Sequence, residues 1–338
     1  MRFENVSILS VEHVDPPVAL TSDEIEARLQ PAIRRLGVRP NLLLELSGIV
    51  ERRLWGPGTP CSEPATWAGE KAIEAAGIDR SRIGVLINTS VTRDFLEPSN
   101  ACAVHHGLGL SEHCVNFDVS NACLGFVNGM DLVGNMIERG QVDYGLVVDN
   151  ESSRPLIEAT IPRMLDERLD EAAFRENFAS LTLGSGAVAM VLARSELAAG
   201  GHRYLGGVSL AATEHCQLCR GNMDHMVTNT QALTEGGLRL ALRTWQRAVD
   251  VLGWTTQSHV HYAQHQVSKG HAEKFAGILG LDMAKIYRLY PTYGNVGPAG
   301  IAIVLSKLRQ QSSLGGGDRV ALMGIGSGIN CTMAEIAW

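Results

Sequence analysis

Short apolar runs that recur between helix-patterned segments constrain this chain more than any other feature. Ile83–Asn88, Val115–Val119 and Tyr144–Asp149 read as strands, a helix from about Ala122 to Arg139 separates the last two, and Ala187–Leu192 closes the set. Further along, Ser258–Gln264 and Arg319–Met323 flank a helix around Ile301. Strands that alternate with helices and are apolar on both faces must be covered on both faces, so the pattern predicts an α/β architecture with buried sheets. The 338 residues exceed a typical single domain, yet no Pro-, Gly- or Ser-rich linker interrupts them. Two tightly packed halves are expected, dividing within Ala193–Gly207 at Arg194-Ser195-Glu196-Leu197-Ala198-Ala199-Gly200-Gly201. Identity between the halves is too low to define a repeat by itself.

The segment Phe117-Asp118-Val119-Ser120-Asn121-Ala122-Cys123-Leu124-Gly125-Phe126 sets one thiol at the junction of an expected strand and an expected helix. A helix N-terminus has unpaired N–H groups and a partial positive charge. Both favour thiolate over thiol and cradle an oxyanion on the group attacked, which makes Cys123 a candidate nucleophile. A small core hydrophobe is the competing reading of any cysteine met alone. His265 lies at the end of an extended run, and Asn295 lies in the turn Tyr293-Gly294-Asn295-Val296-Gly297-Pro298 before the apolar helix Ala299–Leu308. Both occupy element ends, where active-site residues are held, although singly they read as a core histidine and a turn asparagine. The loop Gly324-Ile325-Gly326-Ser327-Gly328-Ile329-Asn330 lets backbone approach a bound group. Its spacing is not that of a dinucleotide fingerprint and too few residues follow it for a βαβ unit, so it reads as an oxyanion or acyl-pocket loop.

Other features exclude more than they assign. Seven cysteines (Cys61, Cys102, Cys114, Cys123, Cys216, Cys219 and Cys331) in a chain of this size fit reduced thiols better than a disulfide framework. Cys216-Gln217-Leu218-Cys219 is a lone CxxC whose neighbours His215 and His225 complete no recognised zinc pattern, so no metal is expected there. His259, His261 and His265 alternate as one strand face would, but without a nearby carboxylate or cysteine they too suggest no metal. A formal charge of −7 argues against nucleic acid as a partner. Met1–Ser10 lacks a basic n-region and an apolar core, and no apolar run reaches membrane-spanning length, so a cytoplasmic protein is expected. Thr21-Ser22-Asp23-Glu24 has capping-box spacing and opens a helix to about Arg35, ended by Gly37.

The order cysteine, histidine, asparagine, glycine loop resembles the thiolase superfamily, specifically the ketoacyl-ACP synthase III-like condensing enzymes. The resemblance runs over nearly the whole chain. It takes in the Ser47-Gly48-Ile49 turn with Arg52 and Arg53, the strand Ile83–Thr89, the cysteine motif, and Leu183-Gly184-Ser185-Gly186-Ala187. It continues through His265-Gln266, Gly294-Asn295 and the terminal glycine loop. It implies a thiolase fold of two pseudo-repeated α/β halves, 1–195 and 203–338, in a five-layered αβαβα arrangement, with the charge-rich segment 151–180 as a helical cap over an acyl pocket. A plain solvated helix is the alternative for that segment. It also implies a Cys123, His265, Asn295 triad. Cys123 would carry an acyl group as a thioester, and His265 and Asn295 would donate hydrogen bonds to a second substrate's carbonyl oxygen as it becomes an enolate. Backbone N–H groups of Cys123 and Gly328 would form a second oxyanion site. Arg220, Gly221 and Asn222 match a loop that contacts the pantetheine arm of coenzyme A, and Arg52 and Arg53 would lie near the mouth or form surface salt bridges. The chain departs from the family at Leu42 and Leu46, which align with an aromatic residue and an arginine that grip the nucleotide in many members.

One further departure decides the finer reading. In Arg93-Asp94-Phe95-Leu96-Glu97-Pro98-Ser99, malonyl-condensing members commonly carry an apolar residue where this chain has Glu97. Decarboxylation makes a carbanion without a base, whereas condensing two ordinary acyl thioesters requires a general base near the α-carbon. In the family this loop crosses a dimer interface into the partner's acyl pocket, where burial would raise a carboxylate pKa. The alternative is a solvated loop glutamate. With Glu97, the resemblance narrows to the OleA-type enzymes of olefin biosynthesis, which join two long-chain acyl-CoA molecules head to head. Ser327 then reads as a support for Asn295. The activity implied is a non-decarboxylative Claisen condensation by a homodimer, with acyl-CoA as substrate, no cofactor, and a β-keto acid as product. Three alternatives stand beside it: a malonyl-dependent synthase, a cysteine thioester hydrolase, and a non-catalytic partner in a heterodimer. Retention of the whole residue set speaks against the last.

Overall fold

A computed structural model describes all 338 residues. The first part of the chain forms β1 (Val6–Val14), β2 (Val18–Thr21), α1 (Ser22–Leu36), α2 (Leu42–Ser47), β3 (Glu51–Leu54), α3 (Ser62–Ala76) and β4 (Ile83–Asn88). It continues through α4 (Asn100–Gly107), β5 (Val115–Asp118), α5 (Gly125–Glu138), β6 (Tyr144–Glu151), α6 (Arg154–Leu165), α7 (Glu171–Asn177) and β7 (Gly186–Arg194). The second part forms β8 (His202–Ala211), β9 (Cys219–Gly221), β10 (Met226–Thr228), α8 (Thr230–Leu252), β11 (His261–Gln264) and α9 (Lys269–Leu279). It ends with α10 (Tyr290–Tyr293), α11 (Ala299–Gln310), β12 (Arg319–Gly326) and β13 (Asn330–Ala337).

Nine strands hydrogen-bond in the order β11-β12-β13-β8-β1-β7-β6-β4-β5. Within this sheet the two parts are joined where Ser7 and Ile8 of β1 pair with Arg203 and His202 of β8. Side chains alternate across a strand, so each inner strand feeds two cores. In β7, Ala187, Ala189, Val191 and Ala193 pack in the core that includes α3 and α4, while Val188, Met190 and Leu192 join the core built on α5 and α11. In β12, Val320 and Leu322 reach that same α5/α11 core, whereas Ala321, Met323 and Ile325 pack with α8 and α9. The central helices are therefore clad by sheet on both sides, and each sheet by further helices outside, which gives five αβαβα layers.

A fourth core joins α1, α2, α6 and α7 through Ile25, Leu29, Ile157, Ile161, Met164 and Phe174. The capping box is present: Glu24 N–H donates to Thr21 Oγ1 over 3.1 Å, and the Glu24 carboxylate accepts from Thr21 N–H over 2.7 Å. Gly37 ends α1 with φ 64. The segment read as a cap is two helices and a turn. Its charge-rich stretch is where the helix breaks, because Asp170 caps α7 by accepting from Ala173 N–H and Asp166 pairs with Arg168. Glu151, assigned to that cap, is instead the last residue of β6. No helix is long and apolar enough to cross a membrane.

Three boundaries differ from expectation. The helix expected from Ala122 starts at Gly125, because Asn121–Leu124 form a tight turn with Ala122 at φ 46. The strand expected from Ser258 starts at His261, since Thr255 and Ser258 close a hydrogen-bonded turn just before it. The glycine loop contracts to Ser327, Gly328 and Ile329, because Gly324, Ile325 and Gly326 pair with Thr332, Cys331 and Asn330 as strand.

Candidate active site

The end of β12 organises the site. His265, immediately after β11, donates its N–H to Met323 O over 2.9 Å. Two residues on, the Cys123 turn lies against β12. A Cβ on Gly324 would sit 2.3 Å from Leu124 Cδ2, and one on Gly326 would sit 3.1 Å from Asn121 O and 3.4 Å from Cys123 N. These two glycines are the gap into which the cysteine turn fits, which is the physical content of the terminal glycine motif.

Asn295 is held by backbone on both sides. Its N–H donates to Thr182 O, and its carbonyl accepts from Gly184 N–H, both over 2.8 Å. Its side-chain Oδ1 accepts from Gly297 N–H over 3.0 Å, leaving Nδ2 as the outward donor. The Gly297 carbonyl neighbours the His265 ring. At the start of α5, Gly125 lies close to Pro298, which brings the cysteine turn to the same place.

Burial pushes the His265 imidazole down to about 3, with His271 acting in the same direction and the Gly297 carbonyl against it. The ring is neutral at physiological pH and can donate one N–H. The Cys123 thiol is pushed up to about 12 by burial, followed by the negative groups Glu151, Cys219 and Asp149. The expected tilt toward thiolate is therefore not met: the thiol, like the imidazole, is neutral. Cys123 is half-buried, His265 buried, and Asn295 at the buried limit. A thiol turn, a histidine and an asparagine brought to the same end of β12 are groups of the kind that acyl transfer with oxyanion stabilisation uses.

The remaining candidates are placed differently. Glu97 stands exposed near the tip of the loop from β4 to α4 and makes no hydrogen bond within the chain. Ser327 and Gly328, the latter at φ 125, form the β12–β13 turn, and Ser327 is not a hydrogen-bond partner of Asn295, whose Oδ1 is taken by Gly297. Arg220 and Gly221 lie exposed in the β9–β10 hairpin, and Asn222 spends its side chain closing that hairpin by accepting from Asp224 and His225 N–H. Arg52 does not reach a mouth. It is fully buried, donates to Leu20 O and Ser22 Oγ, and is pushed down to about 10 by burial. His259 diverges from His261 and His265, packing buried against Trp254 and Glu335.

Sequence reading missed Glu151 and Asp149. Both are buried carboxylates at the end of a strand that begins Tyr144-Gly145-Leu146-Val147-Val148, and acid at the end of so apolar a run was the available signal. Burial raises both, Glu151 to about 7 and Asp149 well above the ordinary carboxylate range. Beside the site, Leu29, Ile33, Leu42, Phe174, Phe178 and Leu181 line an apolar pocket with only about 10 Å³ of free space. Leu181 directly precedes the Thr182–Gly184 segment that clamps Asn295.

Residues 117–209 match the family model for 3-oxoacyl-[acyl-carrier-protein] synthase III, and residues 250–338 match the model for its C-terminal part. Over the full length of both chains the protein is 50% identical to an acyl-CoA:acyl-CoA alkyltransferase of Xanthomonas campestris pv. campestris. It is 34% identical, again over all of both chains, to an acyl-CoA:acyl-CoA alkyltransferase of Shewanella oneidensis. A solved structure of a cysteine-to-serine variant of Xanthomonas campestris OleA with bound lauric acid and lauroyl-CoA superposes with a TM-score of 0.98 at 49% identity. That match covers 99% of this chain and 100% of the other. OleA has also been solved with a glutamate or a histidine replaced.

Proposed function

The chain belongs to the 3-oxoacyl-[acyl-carrier-protein] synthase III family of condensing enzymes, and we propose that it joins two fatty acyl-CoA molecules by non-decarboxylative Claisen condensation. The product is a 2-alkyl-3-ketoacyl thioester released as the β-keto acid. Full-length identity of 50% to an acyl-CoA:acyl-CoA alkyltransferase carries this reading.

Cys123 Sγ attacks the thioester carbonyl of the first acyl-CoA, its proton leaves with the CoA thiolate, and an acyl-enzyme forms. N–H groups of Cys123 and Gly328 take the oxyanion of that step. Glu97 from the partner subunit removes the α-proton of a second acyl-CoA, and the enolate oxygen is held by the His265 ring N–H and Asn295 Nδ2. The enolate carbon attacks the Cys123 thioester, and the thiolate leaves and is reprotonated. Water then cleaves the remaining CoA thioester. These side chains supply every group required, so coenzyme A enters only as part of the substrate. Arg220, Gly221 and Asn222 flank its pantetheine arm, and one acyl chain opens the closed pocket beside Leu181.

Two features support a homodimer with Glu97 in trans. Strand β5 is a sheet edge with Val115 53% exposed, and the adjoining loop shows Phe95 at 67% and Leu96 at 91% exposure. Unpaired edge backbone beside apolar side chains is a surface that a second copy satisfies. The two halves, 1–195 and 203–338, are the repeat units of the fold, and the enzyme works in the cytoplasm, where its CoA substrates are made.

The test is incubation with one long-chain acyl-CoA and no malonyl donor, reading CoA release and products by mass spectrometry. A β-keto acid, or the ketone left after it loses carbon dioxide, is expected. Condensation only when a malonyl thioester is added would overturn the reading, as would free fatty acid alone.

A further inference from the structure

Glu151 takes no part in the steps above, yet it hydrogen-bonds Val91 and Thr92 in the Glu97 loop and packs on Gly297 of the Asn295 turn. It ends β6, 6% exposed. A buried carboxylate persists only where hydrogen bonds replace its water. Here Oε1 accepts from Val91 N–H over 2.6 Å and Oε2 from Thr92 N–H over 3.3 Å. Thr92 Oγ1 then donates to Asn150 O and accepts from Ser152 N–H, each over 3.1 Å. Val91 and Thr92, the third and fourth residues of the loop that carries Glu97, are thus moored to the end of β6.

On its other side the same carboxyl packs on Gly297. A Cβ at Gly297 would lie 3.4 Å from Glu151 Cγ and 3.5 Å from Cδ, and Gly297 has φ +52. This is the residue whose N–H fixes Asn295 Oδ1 and whose carbonyl faces His265. The titratable groups facing Glu151 are Asp149 on its own strand, Cys123 ahead of α5, and Cys61 ahead of α3 with Asp94 beyond it. No lysine or arginine is among the groups acting on it. Its negative charge, where present, adds to burial in disfavouring the Cys123 thiolate.

We propose that Glu151 is a positioning residue that ties the Glu97 loop to the Gly297 turn, so that one side chain sets both the enolate donors of its own site and the base delivered to the neighbouring one. The inference rests on the condensation reading. It makes Glu151 the link between the two sites of a dimer, acting in cis through Gly297 and in trans through Val91 and Thr92.

Mixed dimers separate these effects. Pairing Glu97→Ala with Cys123→Ala subunits leaves one live site, whose thiol is on the first subunit and whose base comes from the second. Glu151→Ala placed on the Cys123→Ala subunit should lower condensation roughly tenfold or more in trans while acyl-enzyme formation on the live subunit stays within about threefold. On the Glu97→Ala subunit it should lower condensation in cis. Glu151→Gln keeps an acceptor for Val91 N–H and should restore most of the trans loss. Without its charge, alkylation of Cys123 by iodoacetamide should begin at lower pH than in the parent enzyme. Loss only in cis, loss in neither arrangement, or an unchanged alkylation profile in Glu151→Gln would overturn the proposal. Should the parent enzyme fail to condense two acyl-CoA molecules, the functional reading fails, and hydrogen exchange then decides the inference. Glu151→Ala must loosen 91–99 and 294–298 together, and loosening of one alone or neither overturns it.

Discussion

The cysteine turn and the Glu97 loop are both connections between a strand and a helix, and they are built to opposite standards. Around Cys123, Gly324 and Gly326 leave no space to shift, and Asn295 is clamped from both backbone directions. The Glu97 loop is as firmly held, but only at its stem. Asp94 accepts from the N–H groups of Cys61 and Ser62, Asn100 Oδ1 accepts from Asp94 N–H over 3.1 Å, and Asp118 accepts from Asn100 and Ala101. Beyond that stem, Phe95, Leu96 and Glu97 stand in solvent. One region completes its geometry within the chain. The other is rigid up to the point where a second copy would take over, which is how a base can be aimed at a site in another molecule.

If the comparison holds, damage to the two regions should separate the two chemical steps. Cys123→Ala should give complete loss of acyl-enzyme by intact mass, and an adduct that persists would remove the nucleophile from this turn. Glu97→Ala should acylate normally but lose roughly 10²–10⁴-fold in condensation, with activity partly regained on mixing with Cys123→Ala protein. Unimpaired ketone output from that variant would erase the contrast. If Leu96 lies in the proposed dimer interface, Leu96→Asp should give monomers by light scattering and lower condensation without lowering acylation in proportion, because it buries a charge where an apolar contact is expected. A smaller effect follows from the Cys123 thiol, pushed up to about 12. The thiolate is the minor form throughout the neutral range, so its alkylation rate should rise about tenfold per pH unit from pH 7 to 9. A plateau in that interval would mean that the helix N-terminus outweighs burial after all. Thr21→Ala, remote from both regions, should cost about 1 kcal/mol in chemical denaturation and leave both steps unchanged, which separates local geometry from overall stability.

Much of this was readable from the letters because it is local. The alternation of apolar strands with helices, the Thr21 capping box and the Gly37 stop follow from periodicity and from side chains that bond to their own neighbouring backbone. The position of Cys123 ahead of a helix is likewise a property of ten consecutive residues, as is the turn containing Asn295. The helix starts three residues later than the sequence pattern implies, because Ala122 takes a left-handed conformation that nothing in its own type requires, in a turn packed against β12. The charge-rich stretch 165–171 was readable as polar and exposed, but not as the break between α6 and α7.

What the chain determined by itself is therefore the kind of elements and the chemical groups placed at their ends. Tertiary structure decided how those groups meet and in what state. Arg52 turned from a surface cation into a buried scaffold residue, and Glu151 from part of a cap into a carboxylate beneath the site. The Cys123 thiol stays protonated at a helix entrance that would by itself favour the anion. The physical reason is the same in each case. Hydrogen bonding within a helix, cap or turn depends on near neighbours in sequence, whereas burial and the charges that accompany it are summed over residues remote in sequence, and only the packed layers fix that sum.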